Sequence, residues 1–416
     1  MAPKALILIE GSTTGNGLLY VQAARRLGLH PITLAVDPAQ YDYLATESAA
    51  AIQVDTNDFN ALKNLCCRLQ ITHGIVGITS ALESVYATVG RLCDHFGLPG
   101  PNALSIKQCC NKFLQREILK EADLPIPTFR LAANATEVES AAAEIGLPVI
   151  LKPAEGSGSC GVQLCRDMDE LVEHTNYMLG GTHIWRSSPR ILVEEFAQGP
   201  HYTALLMGNE VIAIATANFG RPPHFVYREF TCPAPLTYDE HERITDLSLS
   251  CLQALGLGWG PTAIELRWTE RGPIVIEVNP RLSGTPDPQL VKLAYGIDLV
   301  TEHIKLAIGG QGDLRKKHSQ SSAARFLVPE SDGILDSIEG VSTAAAAPGV
   351  AEVKLYAQSK TPFKRKGDYR DCLGYVVVAS PCPSHTAALL QEAIDLIHWS
   401  ITPFQFVDDP INKVGP

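Results

Sequence analysis

The stretch 262–282, TAIELRWTERGPIVIEVNPRL, restricts the fold of this chain more than any other. Two runs rich in Ile, Val, Leu and Trp flank a turn-forming T-E-R-G-P, which is the pattern of a β-hairpin. Folded about Arg271, it sets Ile264 opposite Val278, Leu266 opposite Ile276 and Trp268 opposite Ile274, leaving one face apolar throughout. The other face pairs Glu265 with Glu277, and strand alternation puts Asn279 on that same side. Like charges directly across a strand pair repel. Two carboxylates and an amide oxygen are hard ligands of the kind Mg²⁺ takes, so a metal between them accounts for the juxtaposition. A solvated face with two acids, or a slipped register, is the plain alternative, and the segments before the hairpin have to decide.

The N-terminal third reads as strand ALILIE, glycine turn G-S-T-T-G-N-G, helix LLYVQAARRLGL and strand ITLAVD, and the alternation continues through AAIQV, a helix at 58–69 and HGIVGIT. That order begins a parallel α/β sheet. Gly11, Gly15 and Gly17, with Asp37 about twenty residues on, invite a dinucleotide reading. Their spacing does not match that fingerprint, and a tight turn between strand and helix explains them better. Glu83 follows HGIVGIT at the carboxyl end of a parallel strand, where open sheets bind ligands, and could pair with a substrate ammonium; a surface carboxylate reads the same way. The Gly- and Pro-rich GLPGPNA, 97–103, marks a break. One helix, SIKQCCNKFLQREILKEADL, is expected after it, with Lys112 and Arg116 a turn apart on one face.

LPVILKPAEGSGSCGVQLC reads as strand, glycine loop and strand, with Lys152 closing the first strand. Gly156, Gly158 and Gly161 match G-x-G-x-x-G, yet the loop leads into the strand-like VQLC, so it is neither a Rossmann turn nor a Walker loop. A glycine hairpin of this kind can fold over a triphosphate and donate backbone N–H groups, with Lys152 as a point charge. A helix at 167–179 and the polar excursion GGTHIWRSS lead to RILVEEFAQGPHYTALLM. The strand ending in V-E-E-F and resuming after A-Q-G-P reads as a hinge between two lobes, with backbone free to pair with an adenine edge and Glu194 and Glu195 beside it.

Lysine, strand-lysine-glycine hairpin, V-E-E-F hinge and paired acids with N-P-R, in that order, resemble the ATP-grasp superfamily of carboxylate-amine ligases over nearly the whole chain. The resemblance implies an α/β and α+β multidomain protein: an N-terminal Rossmann-like pre-ATP-grasp domain (1–100), a connecting helix (101–125), lobe A with the glycine lid (126–198), lobe B with the metal site (199–312) and a β-rich C-terminal subdomain (313–416). It implies ATP and Mg²⁺, with Mn²⁺ as an alternative ion. Lys112 and Lys152 look like the phosphate-contacting lysines, and Gly156, Ser157, Gly158 and Gly161 like the lid. Glu194 looks like the hinge acid, and Glu195, Phe196 and Ala197 like the edge facing the base. Glu265, Glu277 and Asn279 match the metal ligands, and Arg281 the arginine that steadies an acyl phosphate. His201 stands where the family usually carries a ribose-binding Glu, a departure that puts that contact in doubt. HGIVGITSALE, GLPGPNALSIKQCCNKFLQREIL and NPRLSGTPDPQLVKLAYGIDL look most like bacterial L-amino acid ligases, which make dipeptides. Glu83, His224, Arg281 and Gly284 are then candidates to meet the substrates.

The connection 218–236, NFGRPPHFVYREFTCPAPL, is expected as a long loop bordering the substrate, with His224 and Glu229 as its candidates. Helices are expected over DPQLVKLA, DLVTEHIKLAI and 239–255, a polar linker from GGQGDLRKKHSQSS, strands at AARFLVP, AEVKLYA and GYVVVAS, and a helix over TAALLQEAIDLIHWSI. KTPFKRKGDYRD reads as a solvated turn, or one that meets phosphates or a carboxylate.

The net charge of −11 gives no reason to expect nucleic acid or an anionic membrane as partner. No run reaches transmembrane length and the first apolar run is too short for a signal peptide, which points to the cytoplasm. Eleven cysteines show no zinc spacing and read as reduced thiols. The expected reaction joins two small-molecule amino acids through an acyl phosphate, in a homodimer if the architecture's common state applies. A biotin-carboxylase-like or purine-pathway ligase is the enzymatic alternative, and a non-catalytic ATP-binding module the other.

Overall fold

The structure is a computed structural model that describes residues 4–13, 15–180 and 190–404; most of the polar excursion, 181–188, lies outside them. At the N-terminus, β1 (Ala5–Ile9), β2 (His30–Ala35), β3 (Ala50–Gln53) and β4 (Ile75–Thr79) form a parallel sheet in the order β3-β2-β1-β4. The all-buried run ALILI of β1 is what a strand covered on both faces requires. The glycine turn after β1 is tight because Tyr43 fills it: a Cβ on Gly11 or Gly17 would collide with its hydroxyl. Asp37 only caps a short 3₁₀ turn.

The long helix expected from residue 105 is two helices, Ala103–Cys110 and Lys112–Glu121. Asn111 between them is extended, and its side chain accepts from the Leu114 N–H, so a single residue ends one helix and caps the next. Lys112 thereby becomes a first-turn residue with its backbone N–H on the Ala154 carbonyl at 2.8 Å.

β5 (Phe129–Ala132), β6 (Val149–Pro153), β7 (Gln163–Cys165) and β8 (Ile191–Glu195) form an antiparallel sheet ordered β5-β8-β6-β7. Helices Ala135–Ile145 and Met168–Leu179 cover one face through Val138, Leu151, Leu171 and Val193. The opposite face carries Lys152 and Glu194.

The largest sheet contains β9 (His201–Met207), β10 (Glu210–Phe219), β11 (Tyr227–Cys232), β12 (Pro261–Thr269), β13 (Gly272–Asn279), β14 (Ser321–Leu327), β16 (Val350–Leu355) and β18 (Gly374–Ser380), ordered β13-β12-β9-β10-β11-β14-β18-β16. The expected loop at 218–236 contains strand: β10 runs on to Phe219, and β11 pairs with both β10 and β14. Helix Tyr238–Leu255, begun by a Thr237/Glu240 capping box, lays Ile244, Cys251 and Leu252 on the sheet. A small sheet of β15 (Gly333–Glu339), β17 (Thr361–Phe363) and β19 (His398–Thr402) closes the chain. The last helix stops at Asp395, and the HWSI expected to continue it belongs to β19, whose alternating burial is a strand's period. Among the described residues, no helix is long and apolar enough to cross a membrane.

Candidate active site

β12 and β13 bring Glu265 and Glu277 directly opposite each other, and Asn279 opposite Ala263. Beyond Glu265 the expected register fails: Leu266 pairs with Val275, Arg267 with Ile274 and Trp268 with Pro273. Ile276 is the extra residue of a β-bulge, so Ile276 and Glu277 both face the cleft while Val275 and Val278 both enter the core. A bulge re-aims a side chain in this way, and here it sets an apolar wall next to the acid. The Ile276 carbonyl is held by the Arg116 guanidinium.

Across the cleft, Lys112 Nζ lies 3.0 Å from Glu277 and donates to the Gly156 carbonyl at 2.5 Å. One turn on, Arg116 Nε donates to Glu194 at 2.6 Å, and Lys152 Nζ takes the other Glu194 oxygen at 2.6 Å. All four groups are buried or nearly so. Burial opposes ionisation of Glu194, but Arg116 and Lys152 hold it below the usual carboxylate range. Burial also opposes the charge on Lys112, and Glu277 and Glu83 raise it above its ordinary value. On Lys152 burial wins, despite Glu194, and its basicity falls.

The lid runs between β6 and β7. Gly156, Gly158 and Gly161 take positive φ, at 138°, 68° and 73°. Gly158 also touches the C-terminal part: the Tyr369 N–H donates to its carbonyl at 3.3 Å, and a Cβ there would lie 2.5 Å from the Tyr369 ring. The stretch KTPFKRKGDYRD is solvated along Lys360, Lys364, Arg365 and Lys366, but its half-exposed Tyr369 packs on the lid and its Asp368 and Asp371 are buried. Ser157 lines the cleft with Gly156 and Gly158, whereas the Gly161 carbonyl lies 2.9 Å from His174 Nε2.

Beside the hinge, Phe196, Ala197 and Glu195 line the cleft, and Arg267 stands 5.5 Å from the Phe196 ring and 5.7 Å from that of Phe225. Glu195 also pairs with Arg271. His201 Nε2 lies 3.5 Å from Glu265, and its Nδ1 is buried without a hydrogen-bond partner among the described residues. Burial works against the Glu265 charge, while His201, Arg281 and Lys112 bring its pKa below the ordinary value.

Arg281, just past β13, meets Glu83 of the N-terminal domain at 3.0 Å. There the slot, of about 120 Å³, opens into a second cavity of about 680 Å³, and the two share His201, Tyr227, Glu265, Asn279 and Arg281. Gly284 lines the second cavity with nothing within 4 Å of where its Cβ would be. His224 and Glu229 are not brought in: His224 packs on Gly367, and Glu229 pairs with Arg325 at 2.6 Å. Residues that sequence reasoning left without a role include Arg116, which braces Glu194, together with Phe225, Tyr227, Asp287 and Tyr369. For Arg116 alone a signal existed, its one-turn spacing from Lys112.

Among the described residues, no three His, Cys, Asp or Glu side chains converge on one point. The candidate set is two carboxylates and an amide, with the Asn279 amide N–H on Glu265 at 3.3 Å. Mg²⁺ fits such a set, because it commonly takes one or two carboxylates and completes its shell with phosphate and water oxygens.

A parallel α/β domain ahead of two lobes that enclose lysines, a glycine hairpin and paired acids defines a nucleotide-dependent ligase architecture, and the chain belongs to the ATP-grasp superfamily. Residues 111–315 match the model of the carbamoyl-phosphate synthase L chain, ATP binding domain, and 325–402 that of L-amino acid ligase C-terminal domain 2. The chain is 57% identical to the uncharacterized protein y4rH of Sinorhizobium fredii, over 98% of this chain and 85% of that protein. It is 20% identical to the L-arginine-specific L-amino acid ligase of Bacillus subtilis, over 73% of this chain and 75% of that one. In fold it is similar to the L-amino acid ligase from Bacillus licheniformis, with a TM-score of 0.80, 18% identity and coverage of 97% of this chain and 100% of that one.

Proposed function

We propose that the chain is an ATP- and Mg²⁺-dependent ligase joining the carboxylate of one amino acid to the amine of another, with ADP and phosphate as the other products. The observation that carries this reading is the meeting of two cavities at Glu265, Asn279 and Arg281: a narrow slot with buried lysines on one side, and a roomy chamber of mixed polar and aromatic wall on the other. A carboxylate bound at that junction can attack the γ-phosphate, forming an acyl–phosphate bond as the bond to ADP breaks. An amine from the chamber then attacks the acyl carbon, phosphate leaves and the amine gives up a proton. Bound Mg²⁺ on Glu265, Glu277 and Asn279 would neutralise charge on the β- and γ-phosphates.

The chain's own groups do the rest. Lys112 and Lys152 trade their glutamate partners for phosphate oxygens, and Arg281 turns toward the charge that develops on the carboxylate in flight. The lid, already resting on Tyr369, shields the acyl phosphate from water. No protein nucleophile enters the scheme, in keeping with thiols that burial raises: Cys66, Cys93 and Cys372 each sit at about 12.

Phosphate release with ATP, Mg²⁺ and pairs of amino acids, with mass spectrometry of the products, tests the reading. Release that depends on both amino acids and yields a dipeptide-sized amide is expected. Release independent of any amino acid, or no amide from any pair, would overturn it.

A further inference from the structure

Asp287 opens helix Asp287–Tyr295 and lines the large chamber, yet it is only 5% exposed. Its one side-chain hydrogen bond among the described residues comes from the Ser283 hydroxyl at 2.5 Å. No lysine, arginine or histidine forms an ion pair with it there, although the charges of Glu265 and Arg281 reach it. The acids that line the smaller slot have basic side chains beside them: Glu194 has two cations, Glu195 has Arg271, Glu277 has Lys112, and Glu265 has the His201 ring at 3.5 Å. Burial pushes Asp287 up to about 6, which leaves it ionised at neutral pH.

A buried carboxylate without a cation is costly to keep. The start of a helix offsets part of that cost, and would do so equally if Asp287 faced solvent. Its placement in the wall of a cavity that Tyr227, Phe230, Phe326 and Tyr356 also line, with Arg281 and Arg370 as the cations of that wall, is what a helix cap does not account for. Aromatic faces and an unpaired carboxylate together form a site for a compact organic cation.

We propose that Asp287 is the counter-ion for a primary ammonium group of the amino acid that enters the large chamber, which makes it a specificity-determining residue for the amine-bearing substrate. The inference rests on the ligase reading for the identity of that substrate. The ammonium is either the α-ammonium, which gives up a proton to water before its nitrogen attacks, or the side-chain ammonium of a basic amino acid.

Steady-state kinetics and calorimetry on the full chain test it, with Asp287→Asn, Asp287→Glu and Ser283→Ala. Asn keeps an oxygen for the Ser283 hydroxyl, so Asp287→Asn preserves the local fold. The expected result is a rise of roughly tenfold or more in KM for the amine-bearing substrate in Asp287→Asn, with KM for ATP within twofold and partial recovery in Asp287→Glu. A role confined to the helix start would lower thermal stability in Asp287→Asn and Ser283→Ala alike and leave that KM unchanged, overturning the proposal. Binding of alanine and of lysine to the wild type and to Asp287→Asn separates the two sources. Weakening of both supports the α-ammonium, weakening of lysine alone supports the side chain, and equal affinities overturn the idea. This binding arm does not depend on turnover, so a wild type that forms no amide would refute the ligase reading while the role of Asp287 is still decided by calorimetry.

Discussion

Glu194 and Asp287 are buried to nearly the same degree, at 2% and 5% exposed, but Glu194 has two cations at 2.6 Å and Asp287 has a single hydroxyl. The contrast extends to the two halves of the cleft. In the nucleotide half, charges are laid out in a lattice that satisfies itself: Glu277 to Lys112, Lys112 to the lid carbonyl, Glu194 to Lys152 and Arg116, Arg116 to the bulge carbonyl. The larger cavity is walled by aromatic rings, two acids (Glu265 and Asp287) and two arginines (Arg281 and Arg370), with its far side supplied by the loop after β1. A lattice of this kind holds lysines in place at little reorganisation cost when phosphates arrive. An open aromatic chamber is instead shaped by whatever it accepts.

If the lattice is structural as well as preparatory, Arg116→Met should do the most damage. It removes one of two cations from a buried glutamate and leaves the Ile276 carbonyl unheld, and breaking a buried pair costs about 3–5 kcal/mol. Denaturant unfolding of the variant checks this; a loss below about 1 kcal/mol would mean that Lys152 alone neutralises Glu194. Glu277→Gln comes next. It keeps the shape of the strand but removes an anionic donor and a partner of Lys112, so amide formation should fall roughly 10²–10³-fold with the melting temperature little changed. Near wild-type turnover would remove Glu277 from the proposed metal set.

The unequal visibility of the two halves in the sequence has the same origin. The lattice is made of charged residues at strand and helix spacings, and Lys112, Lys152, Glu194, Glu265 and Glu277 could be lined up because charge and glycine patterns survive in one dimension. The Glu265–Glu277 pairing was legible; the bulge beside it was not, since inserting Ile276 between ladder bonds leaves no mark on an apolar run. Asn111 likewise hides inside a helical pattern that it interrupts. The chamber draws Tyr41 from the N-terminal domain, Tyr227 from β11, Asp287 from a helix start and Tyr369 from near the C-terminus. Only the packing of the large sheet brings those together, and β11 itself was expected as loop.

Gly158 belongs to both halves and tests whether they close together. Its φ of 68° and the ring of Tyr369 beside it leave no room for a methyl group. Gly158→Ala should strain the lid by about 1–2 kcal/mol, raising the ratio of phosphate released to amide formed, because a lid that seats poorly admits water. An unchanged ratio would mean that contact with Tyr369 is incidental to closure.

A pH-dependent effect, and none at pH 7, is expected where the N-terminal domain packs on helix Leu299–Ala307 through neutral groups, beside its ion pairs Arg281–Glu83 and Arg26–Asp298. His303 is completely buried, with the Tyr20 hydroxyl 2.5 Å from Nδ1 and the Tyr86 hydroxyl 3.1 Å from Nε2. Burial lowers its pKa to about 3, whereas an unfolded chain would titrate near 6.5. Between those values the unfolded chain binds a proton that the folded chain refuses, so stability is full above pH 6.5 and is lost as the pH falls. The loss approaches about 1.4 kcal/mol per pH unit for this one group. Unfolding free energies measured from pH 7 down to 4.5 should show that slope in the wild type and a flatter one in His303→Gln, which stays neutral. Equal slopes would shift the acid sensitivity to the paired carboxylates of the nucleotide half and erase the distinction between an ionic lattice in front and a neutral seam behind.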